Sequence, residues 1–337
     1  MIVSQKLVSF IIPVNRLDQI IRRTLYSIIN ACSFDLSMIE ILIVENGKAI
    51  SLSKTLQDVL ESYPDLIVLL QSKEHVSAAR NIGIQHSRGR WLVFVDADDE
   101  LVPQHMSELV QELQNSQADF LVCDFFKSNQ LLQLSVLLSN KTLEEQKRLM
   151  ISKPTLFMTV WNKCFSREFI IKQQIFFDER LRLAEDGDFM LNVLSQTRGF
   201  KVFAHPYYRY YQHSQSTMGR FDDKSKDYIQ AMVLAKEKYS SLLTFQGGLE
   251  KYILTHLNLI LVRETFNYQN NQSFRDKKKA LQVLMEHPIF RTSLSRLSIS
   301  SCVSLYYLTI VLLKLRCHTL VGVACTLKSY VNSKRIT

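Results

Sequence analysis

Trp91-Leu92-Val93-Phe94-Val95-Asp96-Ala97-Asp98-Asp99 is the stretch on which the fold of this chain turns. Four apolar residues follow the tryptophan, and three carboxylates then fall within four positions. A continuous apolar run of this length marks a strand covered on both faces, as in a parallel sheet between helices. Acids released together at the carboxyl end of such a strand suit a hard divalent cation, alone or carrying phosphates.

The neighbouring sequence repeats the pattern. Residues 7–14 read as a buried strand and 17–29 as a helix with Ile20, Ile21, Leu25, Ile28 and Ile29 facing inward. Residues 39–44 form a second strand that ends in the turn signal Glu45-Asn46-Gly47. A short helix at 52–60, a strand at 66–70 and a helix at 76–86 lead to the fourth strand at 91–95. Pro103 opens a helix through Leu113, and 120–123 give a fifth strand. Short apolar strands alternating with helices of about ten residues define an α/β domain with a mainly parallel, Rossmann-like sheet. Ligands of such sheets bind beyond the carboxyl ends of the strands, so Glu45 and Asp96 are expected in one crevice. Further on, an apolar run at 131–138, a helix near 142–151, an aromatic stretch at 161–177, a helix at 184–197 and a strand at 200–211 complete the domain. From 226 to about 287 the periodicity is helical.

Composition narrows the class. The 337 residues are 47% hydrophobic and 22% charged, the balance of a folded protein, and the few glycines and prolines leave little room for linkers. Six scattered cysteines show neither a CxxC pair nor zinc-ligand spacing, which suits reduced thiols. The eight-residue apolar run after Lys6 is too short for a secretory leader, so none is expected.

The net charge of +9 is concentrated at one end: residues 291–337 hold seven Lys or Arg and no Asp or Glu. The cations are interleaved with aliphatic and aromatic runs, a pattern suited to an anionic membrane surface rather than to nucleic acid. Residues 297–313 lack charge, but seventeen residues with five Ser or Thr are short for a span. The apolar run 320–327 is shorter still, and the two runs are expected to form an interfacial or re-entrant pair of helices, with a span, a buried helix or a dimer contact as the other readings. The division expected is 1–215 for the α/β domain (1–123 nucleotide-binding, 124–215 acceptor-binding), 216–290 for a helical extension and 291–337 for a membrane-associating tail.

The acids of the opening stretch admit two readings. One is a solvated turn or a helix cap before Pro103. The other assigns Asp98 to Mg²⁺ or Mn²⁺ and Asp96 to a sugar hydroxyl of a nucleotide. Four ordered segments bear on the choice: Ser9-Phe-Ile-Ile-Pro-Val, Ile41-Leu-Ile-Val-Glu-Asn-Gly, Ser77-Ala-Ala-Arg-Asn-Ile-Gly-Ile and Gly89-Arg-Trp-Leu-Val-Phe-Val-Asp-Ala-Asp-Asp. In this order they resemble the family 2 glycosyltransferases, inverting enzymes of the GT-A fold that use nucleotide-sugar donors. The resemblance covers residues 7–215. Trp161-Asn-Lys-Cys-Phe, Leu183-Ala-Glu-Asp-Gly-Asp-Phe and the tyrosine-rich run from Tyr207 look like the acceptor-side motifs of capsular and exopolysaccharide members.

The resemblance implies a role for each matched residue. Pro13 and Val14 would set backbone against the nucleobase, with Glu45 where the family usually has an aspartate. Arg80 falls in the donor-binding segment, Asp96 would hold the ribose, Asp98 the metal, and Asp186 would be the catalytic base. His213 is read either as a further metal or diphosphate ligand or as a structural histidine. Trp161 offers a plane for an acceptor sugar or belongs to the core, and Glu185 shapes the acceptor loop. An inverting transfer needs one acidic cluster at the metal and a separate carboxylate across the pocket, a division that Asp96/Asp98 and Glu185/Asp186 satisfy. The sequence departs from the family where Val14 runs directly into Asn15, at Glu45-Asn46-Gly47-Lys48, and at His75, a place usually held by glycine.

The expectation is therefore a metal-dependent hexosyl- or N-acetylhexosaminyltransferase at the cytoplasmic face of the cell membrane. It would move a sugar, UDP-linked by preference, to a saccharide or lipid-linked acceptor. A nucleotidyltransferase would need a glycine- and lysine-rich phosphate loop that residues 13–18 lack. An inactive scaffold would be expected to have lost Asp98 or Asp186, and both are present.

Overall fold

The computed structural model describes residues 6–15, 19–47, 54–211, 224–302 and 304–334. Two compact units emerge: residues 1–141 with 159–211, and residues 142–158 with 212–337. The helical segment 142–158, expected within the acceptor half, thus clusters with the C-terminal helices.

The first unit is built on one mixed sheet of nine strands among the described residues: β1 (Val8–Val14), β2 (Ile39–Asn46), β3 (Ile67–Ser72), β4 (Trp91–Phe94), β5 (Glu100–Leu101), β6 (Phe120–Lys127), β7 (Gln130–Leu132), β8 (Lys163–Ser166) and β9 (Phe200–Tyr210). Their order is β3-β2-β1-β4-β8-β6-β9-β5, with β7 paired to β6. The run β3-β2-β1-β4 is parallel throughout. Beyond it β8 lies antiparallel to both β4 and β6, and β6 pairs parallel with β9. The α/β core expected from the alternation, and the GT-A-like form that the resemblance implies, are present, and the antiparallel insertion of β8 and the two-residue β5 are additions to them.

Two close approaches set the layers. Helix Val76–His86 lies so near β1 that a Cβ on Gly83 would stand 2.3 Å from Ile11 Cγ2. A Cβ on Gly89 would likewise stand 2.5 Å from the Ser9 backbone nitrogen, so only glycine lets the chain cross there. Beneath that crossing, the buried Glu40 accepts from the Ser9 hydroxyl at 2.6 Å and from the Arg88 backbone N–H at 2.6 Å. β6 runs four residues past its expected end. Asp124 is buried at a β-bulge and accepts from the Ser135 N–H and hydroxyl at 2.8 and 2.7 Å.

The second unit is helical. Helix Gly248–Ile260 is buried on most sides and continues into a π-turn, Leu261–Thr265. Within that turn the buried Glu264 accepts from the Ser225 hydroxyl at 2.7 Å and the Lys224 N–H at 3.1 Å, satisfying donors at the start of helix Ser225–Tyr239. Helices Phe274–Glu286, Pro288–Arg296, Leu308–Lys314 and His318–Lys334 follow. Of the two apolar runs, 297–313 becomes short 3₁₀ turns and the helix Leu308–Lys314, and 320–327 lies within helix His318–Lys334. Among the described residues no helix is long and apolar enough to cross a membrane.

Candidate active site

The acids after β4 are held by backbone and side-chain bonds from three directions. Thr24 donates to the Ala97 carbonyl at 2.8 Å and Arg23 to the Asp98 carbonyl at 2.8 Å, so helix Gln19–Ala31 fixes the loop backbone. Asp99 is fully buried and accepts from the Tyr208 hydroxyl at 2.7 Å and the Tyr211 N–H at 2.8 Å. The same Tyr208 hydroxyl accepts from the Asp96 N–H at 3.1 Å. One phenol on β9 therefore pins both ends of the acidic loop, while the Asp98 carboxylate stays half-buried. Burial, with the charge of Asp96, pushes the Asp99 carboxyl well above its usual range.

Across from this loop, Ala184 adopts a left-handed backbone (φ 59°) immediately before helix Glu185–Gln196. For an alanine that conformation costs on the order of 1–2 kcal/mol. It turns the chain so that Glu185 and Asp186 enter the helix at its first turn, where the dipole favours carboxylates.

Arg80 joins the two sides. Its guanidinium is 4% exposed and donates from Nη1 to Asp186 Oδ1 at 2.6 Å and Glu185 Oε1 at 3.4 Å, and from Nη2 to Asp96 Oδ1 at 3.3 Å. Its Nε is buried without a partner among the described residues. Burial opposes the guanidinium charge, but the Asp186, Asp96 and Glu185 carboxylates outweigh it and raise the Arg80 pKa. One cation among three acids leaves negative charge in excess. Burial and the neighbouring acids accordingly push Asp96 up to about 6 and Glu185 up to about 7.

Asn81, which the sequence reading passed over, secures this arrangement. Its amide donates to the Phe177 carbonyl at 3.0 Å and accepts from the Phe177 N–H at 2.8 Å, and Arg80 lies over the Phe177 ring at 5.2 Å. Adjacent residues of one helix thus hold the loop before helix Glu185–Gln196 by its backbone and that helix's acids by charge. His75, the departure from the family pattern, caps that helix by accepting from the Ser77 N–H at 3.2 Å, which explains how a histidine serves there.

The other expected residues are placed as follows. Pro13 and Val14 close β1 beside Val44 and Glu45 of β2, and Glu45 is 9% exposed at the strand end. Trp161 is buried in an aromatic stack, its ring near parallel to Tyr208 (5.2 Å) and Tyr210 (5.0 Å) and edge-on to Phe125. His213 lies outside the described residues. Lys163, two residues beyond Trp161, was not singled out from sequence. Its ammonium is fully buried and donates to the Thr159 carbonyl at 2.7 Å and Asn162 Oδ1 at 3.0 Å. Burial lowers its pKa to about 7 against the pull of Cys123 and Asp186. The signal was present in the unusual Trp-Asn-Lys-Cys-Phe run, a lysine within apolar sequence.

Among the described residues no group of three or more His, Cys, Asp or Glu side chains could hold a metal by itself. The donor set is nevertheless compatible with a hard cation of the Mg²⁺ or Mn²⁺ type. Such ions take one or two carboxylates and complete their shell from water and substrate phosphates. Asp98, the carboxylate that the resemblance assigns to such an ion, is half-buried in the loop after β4.

A parallel nucleotide-type sheet with acids at one strand end and a second acidic pair on a facing helix is the framework of a GT-A-like transferase. Residues 9–173 match the family model for glycosyl transferase family 2, and that segment is a glycosyltransferase domain of the family. It is 26% identical over 297 residues to the uncharacterized glycosyltransferase EpsJ of Bacillus subtilis, covering 85% of each chain. It is 22% identical over 303 residues to the minor teichoic acid biosynthesis protein GgaA of the same organism, covering 84% of this chain and 64% of that one. Among solved structures, S. aureus TarS 1–349 in complex with UDP-GlcNAc matches with a TM-score of 0.66 at 15% identity, over 97% of this chain and 92% of that one. At that identity the likeness is one of fold.

Proposed function

We propose that this glycosyltransferase is an inverting, metal-dependent enzyme that moves a hexose or N-acetylhexosamine from a UDP-linked donor to a saccharide or lipid-linked acceptor in surface polysaccharide synthesis. The observation that carries the reading is the convergence of Asp96, Glu185 and Asp186 on the Arg80 guanidinium, at 3.3, 3.4 and 2.6 Å. It brings a donor-side acid and a separate acceptor-side acid to one buried cation, the division of labour an inverting transfer requires. That GgaA is a teichoic acid biosynthesis protein and that TarS binds UDP-GlcNAc make polymer synthesis and a uridine donor the natural choices.

In this reading Pro13, Val14 and Glu45 border the base, Asp96 takes the ribose, and Trp161 and Glu185 belong to the acceptor side. Asp186 accepts the proton of the acceptor hydroxyl as that oxygen bonds to the anomeric carbon. The bond from that carbon to the phosphate oxygen breaks on the opposite face, and its electron pair leaves with the diphosphate. A divalent cation held through Asp98 would neutralise that leaving group. Arg80 shares Asp186 with the acceptor. A bound diphosphate competes for the guanidinium, which frees the Asp186 oxygen for proton transfer only when donor is present. The basic tail, residues 291–337, would bring the enzyme to the inner face of the cell membrane.

The test is a panel of nucleotide sugars with Mn²⁺, scored for slow hydrolysis and for transfer, with Asp186→Asn beside the wild type. Hydrolysis confined to UDP-sugars, donor binding within a few-fold in the variant and transfer reduced about 10²–10⁴-fold are expected, the usual weight of a positioned base. Undiminished transfer by Asp186→Asn removes the base assignment, and no hydrolysis of any donor favours an inactive scaffold.

A further inference from the structure

Helix His318–Lys334 is apolar on two opposite sides, and only one of them is covered within its own unit. Val321, Gly322, Cys325 and Ser329 are buried. A Cβ on Gly322 would stand 2.7 Å from the Phe266 ring and 2.8 Å from that of Phe274, and the Ser329 hydroxyl accepts from the Tyr268 N–H at 3.2 Å. At 3.6 residues per turn these four positions make one face. Leu320, Val323, Leu327, Tyr330 and Val331 fall on the other, and each is 47–61% exposed. Single exposed apolar residues are ordinary on a protein surface, but five on one stripe of one helix mark a contact surface.

We propose that this outer stripe docks on an anionic phospholipid bilayer, lying in its interface. The proposal rests on the membrane-face reading above and names the residues that carry it. Charge selects the occupant. Residues 291–337 contain seven Lys or Arg and no acid, and Arg316 and Lys328, both exposed, lie at the start and along the flank of the helix. The Lys334 ammonium lies 5.7 Å from the exposed Tyr330 ring, an aromatic and a cation together at the end of the stripe. An apolar stripe flanked by the cations of a segment that carries no acid fits headgroups that are negative over tails that are apolar. A second copy of this chain packed on the same stripe would set those like charges against each other. At 1.5 Å per residue the helix is about 25 Å long, and no described helix is long and apolar enough to cross, so docking is in the plane.

The experiment is co-sedimentation of the full chain with vesicles of phosphatidylglycerol or of phosphatidylcholine alone, with donor hydrolysis and solution mass measured on the same samples. Binding at least tenfold tighter to the anionic vesicles is expected. Val323→Glu combined with Leu327→Glu should weaken it at least tenfold while leaving circular dichroism and donor hydrolysis unchanged, since both side chains face outward. Equal binding by that variant overturns the proposal, as does failure of the wild type to bind anionic vesicles. A wild-type dimer that the double variant dissociates, with vesicle binding unaltered, assigns the stripe to a second copy and also overturns it. Vesicle binding as expected without hydrolysis of any donor leaves docking in place and removes only the transferase chemistry proposed above.

Discussion

The two halves of the sheet unit position their chemistry in different ways. In the half built from β1 to β4 every strand is parallel, and the polar side chains of interest emerge at strand ends, Glu45 in the last residues of β2 and Asp96 after β4. In the half built from β6, β8 and β9 the strand directions are mixed, and polar groups lie inside the core: Asp124, Asn162, Lys163 and the Tyr208 hydroxyl. A side chain at a strand end meets ligand and solvent, and its removal costs the fold little. A buried polar group satisfies another, and its removal leaves an orphan. The first half should therefore lose function without stability when mutated, and the second should lose stability first.

The largest expected effect lies in the first half. Asp98→Ala should reduce Mn²⁺-dependent donor hydrolysis at least about 100-fold, the weight of losing metal-assisted charge neutralisation, with an unchanged thermal midpoint. A midpoint that falls by many degrees would break the comparison, because it would make Asp98 part of the scaffold. Next comes Tyr208→Phe, which deprives Asp99 of one partner and the Asp96 N–H of its acceptor. Urea unfolding should show a loss of about 1–3 kcal/mol, the cost of buried groups left unpaired, before any change in donor affinity.

The narrowest effect is a pH dependence, confined to one window. Lys163 has its pKa lowered by burial from an ordinary 10.5 to about 7 in the folded chain. Between those values the unfolded chain holds more protons, so stability rises with pH; it is fully gained above 10.5 and lost as pH falls towards 7. Lys163→Met removes this rise and should flatten the stability curve across that window. A curve of unchanged slope would place the titration on another group.

The same contrast explains what was legible in the sequence. The strands and helices of the first half follow from apolar periodicity closed by turn residues, and helix Val76–His86 matches its expected bounds. Arg80, Asp96, Glu185 and Asp186 were each singled out, but their meeting on one guanidinium was not, because pairing across about 100 residues depends on tertiary packing. Asp124 and Lys163 were passed over for one reason: the partner that permits a charged residue's burial is not visible in its local sequence. Tyr208 was hidden within a tyrosine cluster, where nothing local separates the hydroxyl that bridges Asp96 and Asp99 from its neighbours. His213, assigned from its motif, falls outside the described residues.

Gly83 lies one helical turn from Arg80, on the same helix, against Ile11 of β1. The methyl group it lacks fixes how deeply that helix settles into the sheet, and with it the height at which the guanidinium crosses between the facing acids. Reach at this site is thus set from behind, by the spacing of two backbones, and a chain carrying every charged residue of the cluster with alanine at this one position would present the same charges at the wrong depth.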